Sequence, residues 1–363
     1  MHPATMIVFV SMFAPSPQGG IRCFQLDTKT GALKPAKAAA DVPHPFFLAL
    51  HPDRKTLYSI RAETFGSPAA EEVVAWRILD ADRGLEEINR QSTHGSASCF
   101  LDVDPSGRAL LVANYTSGDI ASLPIEPGGR LGPAASVIKH AGSGPDAKRQ
   151  DKPHAHAIIA VPTESNTTLA YAADLGIDQV LSYRLDPAAA TLTAADPPAV
   201  KTPAGAGPRH LALHPNGRWL YGINELSNSV TVFDRDPDSG RLTAGPTAST
   251  LPADFSGTSF CADVAITPDG RFLYGTNRGH DSIAVFRIGA DGRLERLAIV
   301  ASGGKGPQNI AITPDGGLLL CANMPGHSLA VFRIDRDSGG LTAVGEPVAI
   351  HSPACIRMLA VAE

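Results

Sequence analysis

Residues 211–225 read LALHPNGRWLYGINE, in which apolar and polar positions alternate, Pro215-Asn216-Gly217 supplies a tight turn, and an apolar run returns from Trp219. This pattern predicts a β-hairpin. Further versions begin at 48, 101, 156, 263 and 309, giving six copies with turn prolines at 52, 105, 162, 215, 268 and 314. The spacings are 53, 57, 53, 53 and 46 residues. After each hairpin comes another apolar stretch that ends in a polar turn. Seven such stretches, GGIRCFQLD through HSLAVFRID, begin at 19, 71, 118, 178, 227, 281 and 327. A fixed period of this length with about four strands per unit predicts a propeller.

Seven outer stretches against six hairpins leave one hairpin to be built from the chain ends. Residues 356–362 (IRMLAVA) read as its innermost strand and residues 6–12 (MIVFVSM) as the next. The expected fold is all-β: a seven-bladed β-propeller of four-stranded blades, residues 1–363 forming one domain, closed by N- and C-terminal strands in one blade. Closure removes the open sheet edges that invite aggregation.

The 35 Gly and 30 Pro among 363 residues suit a turn-rich β fold. With a net charge of −5 and basic residues scattered through the turns, neither a nucleic-acid groove nor a membrane-binding face is expected. The expected partner is a small molecule, and the chain does not fix an oligomeric state. Cys23, Cys99, Cys261, Cys321 and Cys355 are odd in number, sit mostly in apolar strands and form no CxxC pair, so they read as core residues in a reducing compartment. The opening MHPATMIVFVSMFAP has no Lys or Arg before its apolar run and is needed as a strand; a cytoplasmic protein is expected. No apolar run approaches the roughly 20 residues of a membrane span.

The repeat also serves as an internal reference for chemistry. With the turn proline as zero, positions −6, −5, +9 and +10 meet on one face, around the mouth of the central channel. Position −6 carries Phe46, Cys99, His156, Arg209, Ala262 and Gln308, and position −5 includes His210 and Asp263. Position +9 repeats an Asn (Asn114, Asn224, Asn277, Asn323), whose simplest role is to cap a strand end through its amide. Position +10 includes Tyr115, Glu225, Arg278 and Met324.

His156, Arg209, Glu225 and Arg278 thus fall on one rim in three adjacent blades. The structural alternative is a set of inter-blade salt bridges. Against it, Pro153-His154-Ala155-His156 places two imidazoles at alternating positions, on one side of a strand, beside two arginines. That combination suits acid–base chemistry on an anion. His210, Asn224, Asn277, Gln308 and Asn114 are the candidate substrate contacts of the same rim. The preceding loop, GSGPDAKRQDKPHAH at 142–156, is long beside its counterpart GAGPRH. Its Lys148, Arg149 and Lys152 fit both a lid over an anion and solvated charge. No GxSxG, HExxH or P-loop string occurs, and a zinc site on the two His would need Asp174 or Glu225 as a third ligand, so no metal is expected.

The strings GSGPDAKRQDKPHAH, GAGPRHLALHPNGRWLYGINE and DGRFLYGTNRGHDSIAVF resemble those of the seven-bladed β-propeller lactonases. This family includes bacterial propeller-type 6-phosphogluconolactonases and the fungal carboxymuconate lactonising enzyme. The resemblance spans essentially the whole chain. It implies catalytic roles for a His of PHAH (His154 or His156), for Arg209 of GPRH, for Glu225 of INE and for Arg278 of NRGHDS. It further implies cofactor-free, metal-independent hydrolysis of a small anionic lactone, above all 6-phospho-D-glucono-1,5-lactone of the pentose phosphate route. Gln308, Met324 and Ala265 depart from the longer or more polar side chains of relatives, and bear on which anionic group is held. A lactonising cycloisomerase acting on a carboxylated muconate needs the same anion clamp and proton carrier. A non-enzymatic propeller that binds a protein partner is the third expectation.

Overall fold

The structure, a computed structural model, describes residues 5–79 and 84–360. Seven antiparallel sheets form the expected ring. The blades, numbered in chain order, begin at the axis with Pro353–Ala360, Leu48–Leu50, Ser98–Val103, Ala155–Pro162, Pro208–Leu213, Phe260–Ile266 and Pro307–Ile312. Each inner strand is followed outward by three more, the outermost of blade 7 being broken into Leu341–Ala343 and Val348–Ala349.

Blade 1 combines both ends of the chain. Pro353–Ala360 pairs with Thr5–Met12, which pairs in turn with Gly20–Asp27, and the register runs from Met6 opposite Ala360 to Ser11 opposite Cys355. The predicted inner strand at 356–362 therefore starts three residues earlier, and its positions 361 and 362 lie outside the described residues.

Second strands are apolar almost without interruption, as in Ala109–Asn114 and Leu318–Asn323, because neighbouring blades cover both of their faces. Outermost strands such as Leu294–Ala301 alternate between half-buried and exposed, and carry the charges that keep an edge strand from pairing with another molecule.

Polar side chains of the repeat also tie each blade to its neighbour. Tyr58, Tyr171, Tyr221 and Tyr274 donate to the carbonyls of Gly129, Gly240, Gly292 and Gly339, each in the outer turn of the following blade. His51 and His214, just before their turn prolines, bond the carbonyls of Gly107 and Gly270 in the same sense. The repeat thus encodes contacts between units as well as the units themselves. All five cysteines are buried.

Candidate active site

The inner strands of blades 3, 4, 5 and 7 share a local irregularity. Their registers slip between Ser98 and Phe100, Ala155 and Ala157, Pro208 and His210, and Pro307 and Asn309. The residues left over are Cys99, His156, Arg209 and Gln308, the −6 positions. A bulge leaves one residue outside the ladder and re-aims its side chain. The bulge at His156 also breaks the strict alternation from which both histidines were expected on one side of a strand.

Glu225, 5% exposed, is the hub. Its Oε2 is 2.9 Å from Arg209 Nε and 2.8 Å from Arg278 Nη2, and its Oε1 is 2.5 Å from Arg149 Nη2. Burial alone would raise this carboxyl, but Arg278, Arg209 and Arg149 outweigh it and hold it at about 2. His156 Nε2 lies 4.0 Å from the same Oε2, and its Nδ1 lies 3.6 Å from Cys99 Sγ. Burial first, then Arg209 and His210, pull the His156 imidazole well below its ordinary 6.5, so it is neutral at pH 7.

Arg209 is 1% exposed. Burial and Arg278 lower it to about 10, which leaves it charged at neutral pH. Beyond Glu225 it donates through Nη1 to the Ala262 carbonyl and to His210 Nε2, the latter at 3.1 Å. Nη2 is its one guanidinium nitrogen without a protein partner among the described residues. His210 passes the connection on, with Nδ1 2.7 Å from Asp263 Oδ1. Asp263 Oδ2 accepts from Asn309 Nδ2 at 2.5 Å and from the Ile310 amide at 2.9 Å. Burial and Arg209 push His210 down to about 4, so the ring is neutral, gives its one N–H to Asp263 and accepts from Arg209.

The expected rim residues therefore divide. His156, Arg209, Glu225 and Arg278 come together. Gln308 joins them at the edge, its Oε1 3.4 Å from Arg278 Nη1. His210 lies one layer beneath, with both ring nitrogens occupied. His154 belongs to blade 3's surroundings: its ring stacks on Tyr115 at 4.4 Å, its Nδ1 is 3.0 Å from the Tyr115 carbonyl, and its Nε2 is 3.4 Å from Asp151.

Asn114, Asn224 and Asn277 are fully buried and bond Asp119 and Thr93, Ser229 and Thr231, and Thr250 and Ser282 respectively. Their amide nitrogens are thus spent on protein partners, in keeping with the simpler of the two roles open to them. Among the described residues no group of three His, Cys, Asp or Glu side chains is placed to hold a metal ion.

Sequence reasoning passed over Tyr115 and left Arg149 undecided. Tyr115 touches both histidine rings, at 4.4 and 5.4 Å, and its hydroxyl is 3.3 Å from Arg149 Nη2. Its place at +10, beside Glu225 and Arg278 in the repeat, was the available signal. Of the loop's other cations, Lys148 is exposed, and Lys152 is exposed with its ammonium on the Thr116 carbonyl.

Salt bridges between blades are thus present, yet a structural bridge needs one cation per carboxylate, whereas here three guanidinium groups converge on one. Two of them, Arg149 and Arg278, remain 32% and 26% exposed. Fold and site together define a seven-bladed propeller with a cationic mouth that carries a neutral imidazole, the equipment for acid–base chemistry on an anion. The chain belongs to the "Lactonase, 7-bladed beta-propeller" family, whose family model matches residues 7–358.

Among its relatives, a 6-phosphogluconolactonase of Bacillus subtilis is 34% identical over 97% of this chain and 98% of its own. Another of that name from Formosa agariphila is 31% identical over 83% and 85%. Of the solved structures, a periplasmic gluconolactonase of Pseudomonas aeruginosa superposes with a TM-score of 0.90 at 30% identity, covering 99% of this chain and 100% of that one.

Proposed function

We propose that the protein is a 6-phosphogluconolactonase, hydrolysing 6-phospho-D-glucono-1,5-lactone to 6-phosphogluconate without metal or cofactor. The observation that carries this reading is Glu225 held among Arg149, Arg209 and Arg278 with the neutral His156 4.0 Å away. The names of relatives matched over most of their length support the substrate.

In the proposed reaction, water attacks the lactone carbonyl carbon while His156 takes its proton. The carbonyl oxygen becomes an oxyanion, met by donors of Arg209 and Arg278. Collapse of the intermediate breaks the bond from the carbonyl carbon to the ring oxygen, which receives the proton back from His156. Glu225 stays ionised throughout and aims the two guanidinium groups. One general base contributes about 10²–10⁴-fold and one oxyanion donor about 10²–10³-fold, ample for an ester that also hydrolyses unaided.

The test is to supply purified protein with 6-phosphogluconolactone and carboxymuconate side by side, and to measure rates above the spontaneous reaction. Turnover of the first alone is expected; turnover of the muconate alone would make the protein a cycloisomerase. Overnight chelation should leave the rate unchanged, and a loss restored by zinc or calcium would require a metal in the mechanism. We also place the protein in the cytoplasm, with the buried, strand-borne cysteines in support. Cell fractionation tests that placement.

A further inference from the structure

Arg149 reaches the site from the loop between blades 3 and 4 and lies across the mouth. Its Nη2 touches Tyr115 Oη of blade 3 and Glu225 Oε1 of blade 5, and its guanidinium carbon stands 5.5 Å from the ring centre of Phe260, where blade 6 begins. The loop is anchored next door. Gln150 is fully buried, donates to the Leu175 carbonyl and to Asp178 Oδ1, and accepts from the Asp146 amide. Among the described residues only Nη2 of the Arg149 guanidinium has hydrogen-bond partners, which leaves Nε and Nη1 unspent on a side chain that is 32% exposed.

Charge and connectivity single this residue out from the other two arginines. Three cations against one carboxylate leave two positive charges, and a phosphate monoester carries about −1.5 to −2 at neutral pH. Arg209 and Arg278 share Glu225 Oε2, whereas Arg149 alone holds Oε1. Arg149 can therefore turn to an incoming anion without undoing the pairs that aim the other two.

We propose that Arg149 is the specificity residue that receives the substrate's phosphate, giving up part of its hold on Glu225 as it does so. The assignment rests on the lactonase reading and deepens it. It addresses a distinction that the relatives' own names draw, some phosphogluconolactonase and one gluconolactonase.

The experiment measures kcat/KM on 6-phosphoglucono-1,5-lactone and on unphosphorylated glucono-1,5-lactone for the natural protein, Arg149→Met and Arg149→Lys. A ratio taken within one preparation does not depend on how much of it is folded. Arg149→Met should lower the preference for the phosphorylated lactone by about 10- to 100-fold, chiefly through KM, and should weaken inhibition by inorganic phosphate by a similar factor. Arg149→Lys, which keeps the charge but loses the planar fork, should fall between. If the natural protein hydrolyses neither lactone, the lactonase reading fails and this assignment with it. If it is active and Arg149→Met loses both lactones by the same factor, this assignment alone is overturned.

Discussion

His156 is an imidazole kept neutral by burial and by the cations around it, so its protonation lies well below 6.5. The acid limb of kcat/KM should accordingly fall well below pH 6.5, with activity persisting where an ordinary histidine is already charged. His156→Ala should abolish that limb along with most of the turnover, and His154→Ala should retain it; the opposite result would transfer the proton to His154. Arg209→Lys keeps a charge but loses the fork that bonds Glu225, His210 and Ala262 together. We expect kcat to fall about 10²-fold and the melting temperature to fall as well, because a side chain 1% exposed cannot shed those bonds to water. A normal specific activity in the folded fraction would reduce the cluster to an inter-blade brace.

The same groups set a pH dependence of stability. Glu225 lies at about 2 against an ordinary 4.5, and His210 at about 4 against 6.5. Both are depressed on folding, so each contributes stability above its unfolded value and loses it as pH falls toward the folded one. Thermal unfolding followed across a pH series should show the melting temperature declining from about pH 6.5 to 4 through the histidines, and further between 4.5 and 2 through Glu225. A flat profile down to pH 4 would mean that the histidines keep solvent-like surroundings, and one flat from 4.5 to 2 would mean the same of Glu225.

At the scale of elements, the blade works through two devices: the bulge that aims the −6 residue and the tyrosine that ties one blade to the next. Tyr221→Phe removes one tie, the 2.8 Å bond to the Gly292 carbonyl. It should cost about 1–2 kcal/mol and a melting shift of a few degrees, with kcat/KM unchanged because the bond lies in the outer turns. The loop that carries Arg149 depends on another close approach. A Cβ on Gly176 would collide with the Lys152 carbonyl and come within 2.7 Å of the His154 amide. Gly176→Ala must therefore push residues 152–154 off their seat, and should lower kcat/KM by tenfold or more while the ring still folds. An active variant with normal kinetics would show that the loop's position does not matter to the site.

At the scale of the whole molecule, the ring depends on Pro353–Ala360 lying against Thr5–Met12. Deleting residues 353–363 strips the inner strand of blade 1 and bares the edge of the next, so we expect unfolding or aggregation during purification. A truncated chain that remained monodisperse with the same melting curve would refute closure as the source of stability. Closure also brings Glu225 of blade 5, Arg278 of blade 6, His156 of blade 4 and Arg149 of the blade 3–4 loop to one axis, which no blade could assemble alone.

The sequence by itself determined the architecture, since a hairpin that recurs with a turn proline every 46 to 57 residues, and an incomplete one at each chain end, can bury its apolar faces only by closing into a ring. It also marked His156, Arg209, Glu225 and Arg278, because breaks in a repeat are visible against the repeat. Only the tertiary structure decided how those residues divide their work. The bulges at Cys99, His156, Arg209 and Gln308 alter side-chain direction without altering the hydrophobic pattern, and so leave no trace in it. Partners then separated His156, 4.0 Å from Glu225, from His154, which is stacked on Tyr115 and turned to Asp151, and burial separated the engaged His210 from the more open Arg278. Arg149 stood in a polar loop where a cation bound for solvent and one bound for the axis read alike; Glu225, and Asp178 holding the neighbouring Gln150, both from other parts of the chain, direct it inward.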